Sequence, residues 1–503
     1  MNARVPEFAL NATDALSQVS RQWDDVIVPE LMDYIAIPAK SPSFDPSWAQ
    51  HGHIDAVMRN AAAWVESQKV EGLTLEVIRL AGRTPVLFFE VPARNGKQGQ
   101  TPSGQTVLMY GHLDKQPEFT GWRNDLGPWS PKYEDGKLYG RGGADDGYAV
   151  YASLAAIQAL KQQGVAHPRI VGLVETCEES GSRDLLPYVD ALRAPSPGRP
   201  DGRMGDVALV ICLDSGAGNY DQLWLTSSLR GMASGVLKVE ILTEGVHSGD
   251  ASGLVPSSFR IMRQVLDRLE DSATGRLLPA RFHCDVPPDR LAQAKATAAI
   301  LGDEIYKRFP WAHYDCGGST AFALPTTTDP VQALLNRTWA PTLSVTGAEG
   351  FPELQNAGNV LRPYSAFKLS LRLPPLVDAG EAVQALKILL EDNAPYQAKV
   401  TFESGGGATG WNAPSTAPWF EQALNQASQA HFGQDCGYIG QGGTIPLMNM
   451  LSKGFPTAQM MVCGVLGPRS NAHGPNEFLH VPYAKKLTAA VAHVIARLPA
   501  GQS

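Results

Sequence analysis

The stretch RIVGLVETCEESGS, Arg169 to Ser182, carries an apolar run straight into acid: Glu175, Glu178 and Glu179 fall within five residues. The run RIVGLV reads as a strand buried in a sheet, and such a strand does not finish in like charges without a reason. Adjacent carboxylates repel, and withdrawing them from water is costly unless a positive partner meets them. Open sheets built from alternating strands and helices place their functional groups at the carboxyl edge of the strands. The acidic cluster therefore points to a fold class and to the edge where a site would lie.

Working outward, the first half of the chain alternates two signals. TVLMYGHLD upstream and VALVICLD downstream read as buried strands, while HIDAVMRNAAAWVESQ and YAVYASLAAIQALKQQG read as helices, the second closing at Gly164 as a C-cap. This alternation predicts an α/β domain with a largely parallel sheet flanked by helices. Near Arg230 the texture changes: MASGVLKVEILTE and AFKLSLRLPP alternate like antiparallel strands, each followed by a helical run, SSFRIMRQVLDRLED and EAVQALKILLED respectively. The prediction is an inserted α+β domain over 230–405, with the α/β domain contributed by 1–229 and 406–503. A chain of 503 residues exceeds what one hydrophobic core usually serves.

A formal net charge of −8, with no basic run, argues against nucleic-acid and anionic-membrane partners. No segment reaches the roughly 18 apolar residues of a membrane span, and MNARVPEFALNATDALSQ lacks the pattern of a signal peptide. The 6 cysteines stand singly, several inside apolar runs, as small buried hydrophobes do. A reduced, cytoplasmic protein is expected.

Successive strand-like segments each end in an acidic or imidazole group, about 33 to 35 residues apart, roughly one βαβ unit. These are His112 in YGHLD, Asp145 in GRGGADDG, the Glu178/Glu179 pair and Asp214 in ICLDSG; His473 in GPRSNAHGPNE follows the late strand AQMMVCGV. Two imidazoles and several carboxylates at one sheet edge suit zinc, whose N and O ligands sit at about 2.0–2.2 Å. Metal charge would also relieve the repulsion among the glutamates.

GHLD, DGKLYGRGGADD, ETCEESGS, a strand-end aspartate and HGPNE occur in that order. In this the chain resembles the di-zinc exopeptidase family of carnosinase, cytosolic nonspecific dipeptidase, succinyl-diaminopimelate desuccinylase and aminoacylase, nearest to its carnosinase-like dipeptidase branch. The likeness spans nearly the whole chain and includes an inserted lid domain bearing GVHSGDASG and NVLRPYSAFKLSLRLPP. It implies a metallopeptidase domain with two zinc ions per subunit, or manganese or cobalt in their place. Asp145 would bridge the ions, His112 and Asp214 completing one site and Glu179 and His473 the other. Glu178 matches the general base acting with a metal-bridging hydroxide, and Asp114 matches the residue that orients His112. The family often has a cis peptide after the bridging aspartate, here Asp145–Asp146. His247 matches a lid histidine that donates to the oxyanion, often across a homodimer. Arg372 matches an arginine gripping the substrate carboxylate, and Gly442, Gly443 and Thr444 fall in a segment that lines the pocket.

Other residues invite plainer readings. Glu175 is expected at the surface or in a supporting salt bridge, and His51 and His53 as exposed residues at a helix start. GQGGTIP (Gly440 to Pro446) has the look of a phosphate loop without its lysine or its strand–helix context.

The chain also departs from the dipeptidase pattern. It has Asp145-Asp146-Gly147-Tyr148 where many members have Asp-Asp-Lys-Gly, and Gly440-Gln441-Gly442-Gly443-Thr444 where Arg-Glu-Gly-Gly-Ser is typical. Losing a carboxylate that could meet a substrate ammonium favours an N-acyl amino acid amidohydrolase. Aspartate rather than glutamate at 214 favours a dipeptidase acting on dipeptides or short peptides. A catalytically silent binding protein of the same fold would show the loss of a ligand or of the base, and neither loss is seen.

Overall fold

The computed structural model describes residues 10–97, 100–316 and 319–499. The chain divides into two compact units, one from Met1–Thr226, Ala413–Ile439 and Met450–Ser503, the other from Ser227–Asn412 and Gly440–Asn449.

The first unit is built on six strands: β1 (Thr74–Ile78), β2 (Val86–Val91), β3 (Thr106–His112), β4 (Arg169–Glu175), β5 (Val207–Cys212) and β6 (Gln459–Val462). They lie in the order β1-β2-β4-β3-β5-β6. Strands β4, β3, β5 and β6 are parallel, whereas β2 runs antiparallel to β4 and β1 antiparallel to β2. The sheet is therefore mixed, with its parallel part in the middle and at one side. Strands β3 and β5 are buried along their whole length, which is why they read as unbroken apolar runs rather than alternating ones.

Helices cover this sheet: α1 (Ala12–Gln22), α2 (Val28–Ala36), α3 (His53–Ser67), α4 (Ala149–Gln163), α5 (Pro418–Phe432) and α6 (Val481–Ile495). In α3 the residues Ile54, Val57, Met58, Ala61, Trp64 and Val65 are buried, the three-and-four spacing of an amphipathic helix, and α3 packs on β1 and β2. Helices α1, α4, α5 and α6 pack on one another. Gly164 closes α4 with φ +69°, the left-handed C-cap that the sequence indicates. Among the described residues no helix is long and apolar enough to cross a membrane.

The second unit carries an antiparallel sheet of Thr342–Glu349, Tyr364–Leu373, Gly231–Glu240 and Lys399–Ala408, in that spatial order. Alternate residues of Gly231–Glu240 are buried, so one face turns inward. Leu237, Val239, Leu369 and Leu371 pack there with Ile261 and Val265 of helix Ser258–Leu266 and Leu386 of helix Ala379–Glu391. Helices Pro288–Leu301 and Pro330–Thr338, absent from the sequence reading, pack together around Ala298 and Leu334. GQGGTIP corrects another expectation, because strand Gly437–Gln441 leads into it and helix Pro446–Gly454 follows it. The context is present; the lysine is not.

Gly111, next to last in β3, marks where strand and helix approach closest to the sheet edge. A Cβ there would lie 2.5 Å from Cβ of Ala149 in α4 and 2.9 Å from an Asp146 carboxylate oxygen. Gly111→Val should therefore push α4 away and destabilise the first unit by about 1–3 kcal/mol, the usual cost of overpacking. A lower urea midpoint for the first unfolding transition is the expected measurement.

Candidate metal centre

Parallel strands finish at one edge, so whatever follows them in sequence gathers there. His112 is the last residue of β3 and is level with Glu175, the last residue of β4. A short turn, Glu178–Ser180, follows β4; Asp214 stands two residues beyond β5; Asp145 lies in the turn Gly143–Gly147 that leads into α4. The Asp145–Asp146 peptide is cis. His473 reaches the same edge from the loop after β6.

These side chains form two sets that share Asp145. In one, His112 Nε2 lies 3.6 Å from Asp145 Oδ1 and 3.8 Å from Asp214 Oδ2. In the other, His473 Nε2 lies 2.9 Å from Asp145 Oδ2 and 3.4 Å from Glu179 Oε2. The two oxygens of Asp145 thus face different partners. Within each set the candidate ligand atoms all lie within 4.8 Å of one another. Two ligands about 2.1 Å from a tetrahedral ion stand roughly 3.4 Å apart, so the spacing fits a metal in each set. His112 adds a second indication: its Nε2 is buried without a hydrogen-bond partner, while its Nδ1 is 3.1 Å from the Asp114 carbonyl oxygen. With Nδ1–H donating to that carbonyl, the Nε2 lone pair faces carboxylates, an arrangement that calls for a cation between them.

The electrostatics point the same way. Burial pushes the carboxyls of Glu179 up to about 8 and of Asp214 up to about 7, with the Asp145 charge adding to both. Burial, then the charge of Asp214, raises Glu178 well above the usual carboxylate range. Burial opposes ionisation of Asp145 too, but the His112 and His473 imidazoles overcome it and hold its carboxyl well below the usual range. His112 is itself driven up against its burial by Asp114, Asp145 and Asp214. The two imidazoles are acting as the positive charge that these acids recruit, the task a metal ion performs better.

Several residues that hold this arrangement are not evident from the ligand pattern. The Asp114 carboxylate is taken up by backbone: Oδ1 accepts from Glu178 N at 3.1 Å and Oδ2 from Glu179 N at 3.0 Å. Asp114 therefore orients His112 through its carbonyl, and its carboxylate, 3.5 Å from Nδ1, anchors the glutamate turn. Gln116 Nε2 donates to Glu179 Oε2 at 2.6 Å. Glu175 is 1% exposed and accepts hydrogen bonds from Tyr110 Oη and Ser182 Oγ at 2.7 and 2.8 Å. The expectation of a surface position or a salt bridge is wrong for it, because the turn after β4 folds its Ser182 back over the strand end. His51 is exposed at the end of a short helix and pairs with Asp45 at 2.8 Å.

The loop bearing His473 is held by a buried ion pair. Arg469, Asn471, His473 and Asn476 all have φ between +56° and +65°, a region disfavoured for residues with a side chain. Arg141 donates from Nη2 to the carbonyls of His473 and Gly474 at 3.1 and 2.9 Å and pairs through Nη1 with Glu477. Glu477 Oε1 in turn accepts from Gly142 N at 2.9 Å. Arg141 and Glu477 sit inside GRGGADD and HGPNE, and their opposite charges, used by no ligand role, were the available signal. Asp114→Ala or Glu477→Gln should weaken metal binding about 10–100-fold, as loss of such support typically does. Titration against a competing chelator, with helical content checked by circular dichroism, gives the measurement.

The remaining predicted residues lie in the second unit. His247 is exposed in the two-residue strand Val246–His247. Arg372 donates from Nη1 to Thr444 Oγ1 at 3.4 Å, and Gly442 accepts through its carbonyl from Arg230 Nε at 3.4 Å.

Known proteins share both the sequence and the fold. A cysteinylglycine-S-conjugate dipeptidase of Corynebacterium striatum is 27% identical over 443 residues, covering 84% of this chain and 88% of that one. A Beta-Ala-His dipeptidase of Rattus norvegicus is 25% identical over 458 residues, covering 88% and 87%. The crystal structure of human carnosine dipeptidase 1 superposes with a TM-score of 0.75 at 22% identity, covering 98% of this chain and 100% of that one. The family model for peptidase family M20/M25/M40 matches residues 108–497, a span that holds every residue of both candidate metal sets. The chain belongs to that peptidase family.

Proposed function

We propose that this peptidase is a metal-dependent dipeptidase whose chemistry is carried by the two ligand sets sharing Asp145. That shared carboxylate, with an imidazole and a second acid on either side, is the observation that carries the reading. His112, Asp145 and Asp214 would hold one ion, and Asp145, Glu179 and His473 the other, zinc being the natural choice and manganese or cobalt the alternatives. Bound there, the metal pair would polarise the scissile carbonyl and lower the pKa of water at the site.

The chain's own residues supply the remaining steps. Glu178, adjacent to a ligand and with a carboxyl raised by burial, is suited to take a proton from water and pass it to the leaving amine. Its backbone N–H is held by the Asp114 carboxylate, which anchors the turn that carries it. Arg372 would grip the substrate carboxylate, with Gly442, Gly443 and Thr444 lining the same pocket. His247, exposed on the second unit, would donate to the oxyanion of a partner subunit in a homodimer. Relatives named as dipeptidases for cysteinylglycine conjugates and for Beta-Ala-His support a small peptide as substrate. The described cysteines are free and mostly buried, which suits a reducing compartment such as the cytoplasm.

A second reading, hydrolysis of N-acyl amino acids, is favoured by one observation: residue 441 is a neutral Gln, where the resemblance to dipeptidases leads one to expect a glutamate that could meet a substrate ammonium. Rates on free dipeptides and on their N-acetylated forms, with zinc, manganese and cobalt, separate the two. The dipeptidase reading expects the free form to react faster; faster turnover of the blocked form would replace it with the second.

Glu178→Gln should lower kcat about 10²–10⁴-fold, the usual worth of a general base, while metal content stays unchanged. His247→Ala should lower kcat by about 10²–10³ with metal retained, as for loss of one oxyanion donor. Mixing the two inactive variants should restore activity if His247 acts across the dimer.

A further inference from the structure

The second unit gathers positive charge that a single substrate carboxylate leaves largely unanswered. Arg230 is 8% exposed and is threaded into the pocket segment: Nε reaches the Gly442 carbonyl at 3.4 Å, and Nη1 reaches Thr342 Oγ1 at 3.2 Å. Thr444 Oγ1 bonds the Arg230 carbonyl and also accepts from Arg372 Nη1. Arg337, on helix Pro330–Thr338, meets the same segment through its backbone carbonyl, and its guanidinium is near enough to Arg308 and Arg230 for their charges to act on it. A Cβ at Gly442 would lie 3.0 Å from Arg230 Nη2 and 3.5 Å from the Arg337 carbonyl oxygen. Arg337 Nε is buried without a hydrogen-bond partner.

Among the described residues no acid forms an ion pair with Arg230 or Arg337. Burial pushes Arg230 down to about 10, and the charge acting on it is that of Arg372. Burial pushes Arg337 down to about 9, and the charges acting on it are those of Arg308 and Arg230. Elsewhere the fold pairs its buried arginine, as Arg141 with Glu477. Unpaired guanidinium groups removed from water are costly, and that cost is tolerated where a ligand supplies the anion. The segment beside them is built to admit one. Gly442 and Gly443 carry no side chain, and a Cβ at Gly443 would meet nothing within 4 Å. The neutral Gly440 and Gln441 add no charge of their own.

We propose that Arg230 and Arg337 form, beside Arg372, a site for a second carboxylate, so that the preferred substrates are dipeptides ending in aspartate or glutamate. Planar guanidinium forks match carboxylate geometry, and two carboxylates on one residue would answer a cluster that one leaves in excess. The inference rests on the dipeptidase reading above and adds the class of the C-terminal side chain to it.

The test uses isosteric pairs on the metal-loaded enzyme: Gly-Glu against Gly-Gln and Gly-Asp against Gly-Asn. The acidic member of each pair should have a kcat/KM at least tenfold higher. Arg337→Gln should reduce that ratio at least fivefold, chiefly through KM, and Arg337→Lys should keep part of it. Arg230→Gln serves as an independent second variant. Equal rates within each pair would overturn the inference and leave the dipeptidase reading standing. If none of the four is hydrolysed the dipeptidase reading fails, and calorimetry then decides the site by itself. Glutarate binding at least tenfold more tightly than butyrate would support it, whereas equal affinity, or tighter binding of inorganic phosphate than of glutarate, would overturn it.

Discussion

Like charges brought together out of water are the constraint around which the first unit is organised. Asp145, Glu178, Glu179 and Asp214 meet at one sheet edge, and burial raises three of them while two imidazoles hold the fourth ionised. Such an arrangement persists only if the surrounding fold prevents the acids from moving apart. Parallel register supplies the first restraint, setting the ends of β3, β4 and β5 side by side. Hydrogen bonds supply the second: Asp114 ties down both glutamate amides, Gln116 holds Glu179, and Arg141 with Glu477 fixes the His473 loop. On the proposed reading a metal pair would be the remaining restraint, and the spacing of the donor atoms suits it.

Much of this was legible in the sequence, for identifiable reasons. Buried parallel strands are apolar throughout, so their polar termini stand out: His112 and Asp214 are conspicuous because what precedes them is not. Alternation gave the antiparallel sheet of the second unit equally well. Less visible were contacts that depend on where a side chain turns. Nothing in VETCEESGS says that Glu175 is folded inward onto Tyr110 and Ser182 while its neighbours face the site. The pairing of Arg141 with Glu477 joins residues some 336 positions apart, beyond the reach of local pattern. The weakly amphipathic helix Pro288–Leu301 escaped because its packing surface is small, with Ala298 and Thr297 among its few buried residues.

The two units handle charge in opposite ways. In the first, an excess of acid is offset from within by imidazoles and arginine and, on the proposed reading, by metal. In the second, the guanidinium groups of Arg230 and Arg337 near Gly442–Thr444 have no acidic counterion among the described residues. A peptidase built from these parts would keep its catalytic charge permanently and borrow its recognition charge from the substrate. That division suits an enzyme that must release product, since anion contacts that are part of the ligand leave with it.

The sheet of the first unit is completed by β6, and one of its metal sets by His473, only after the whole second unit has intervened in the chain. Roughly 360 residues separate His112 from His473. At about 5–20 residues per second on the ribosome, the early strands wait on the order of 20–70 s for the histidine that closes the second set. Through that interval the acidic edge exists without its last ligand, and β5 lacks a neighbour on its outer side. The nascent chain therefore carries an unpaired strand edge beside a half-built, strongly acidic site, and metal captured early would be held by the His112 set alone. If two metals bind there, loading of the complete pair would in this sense be a late event of synthesis, set by where along the chain the final histidine falls.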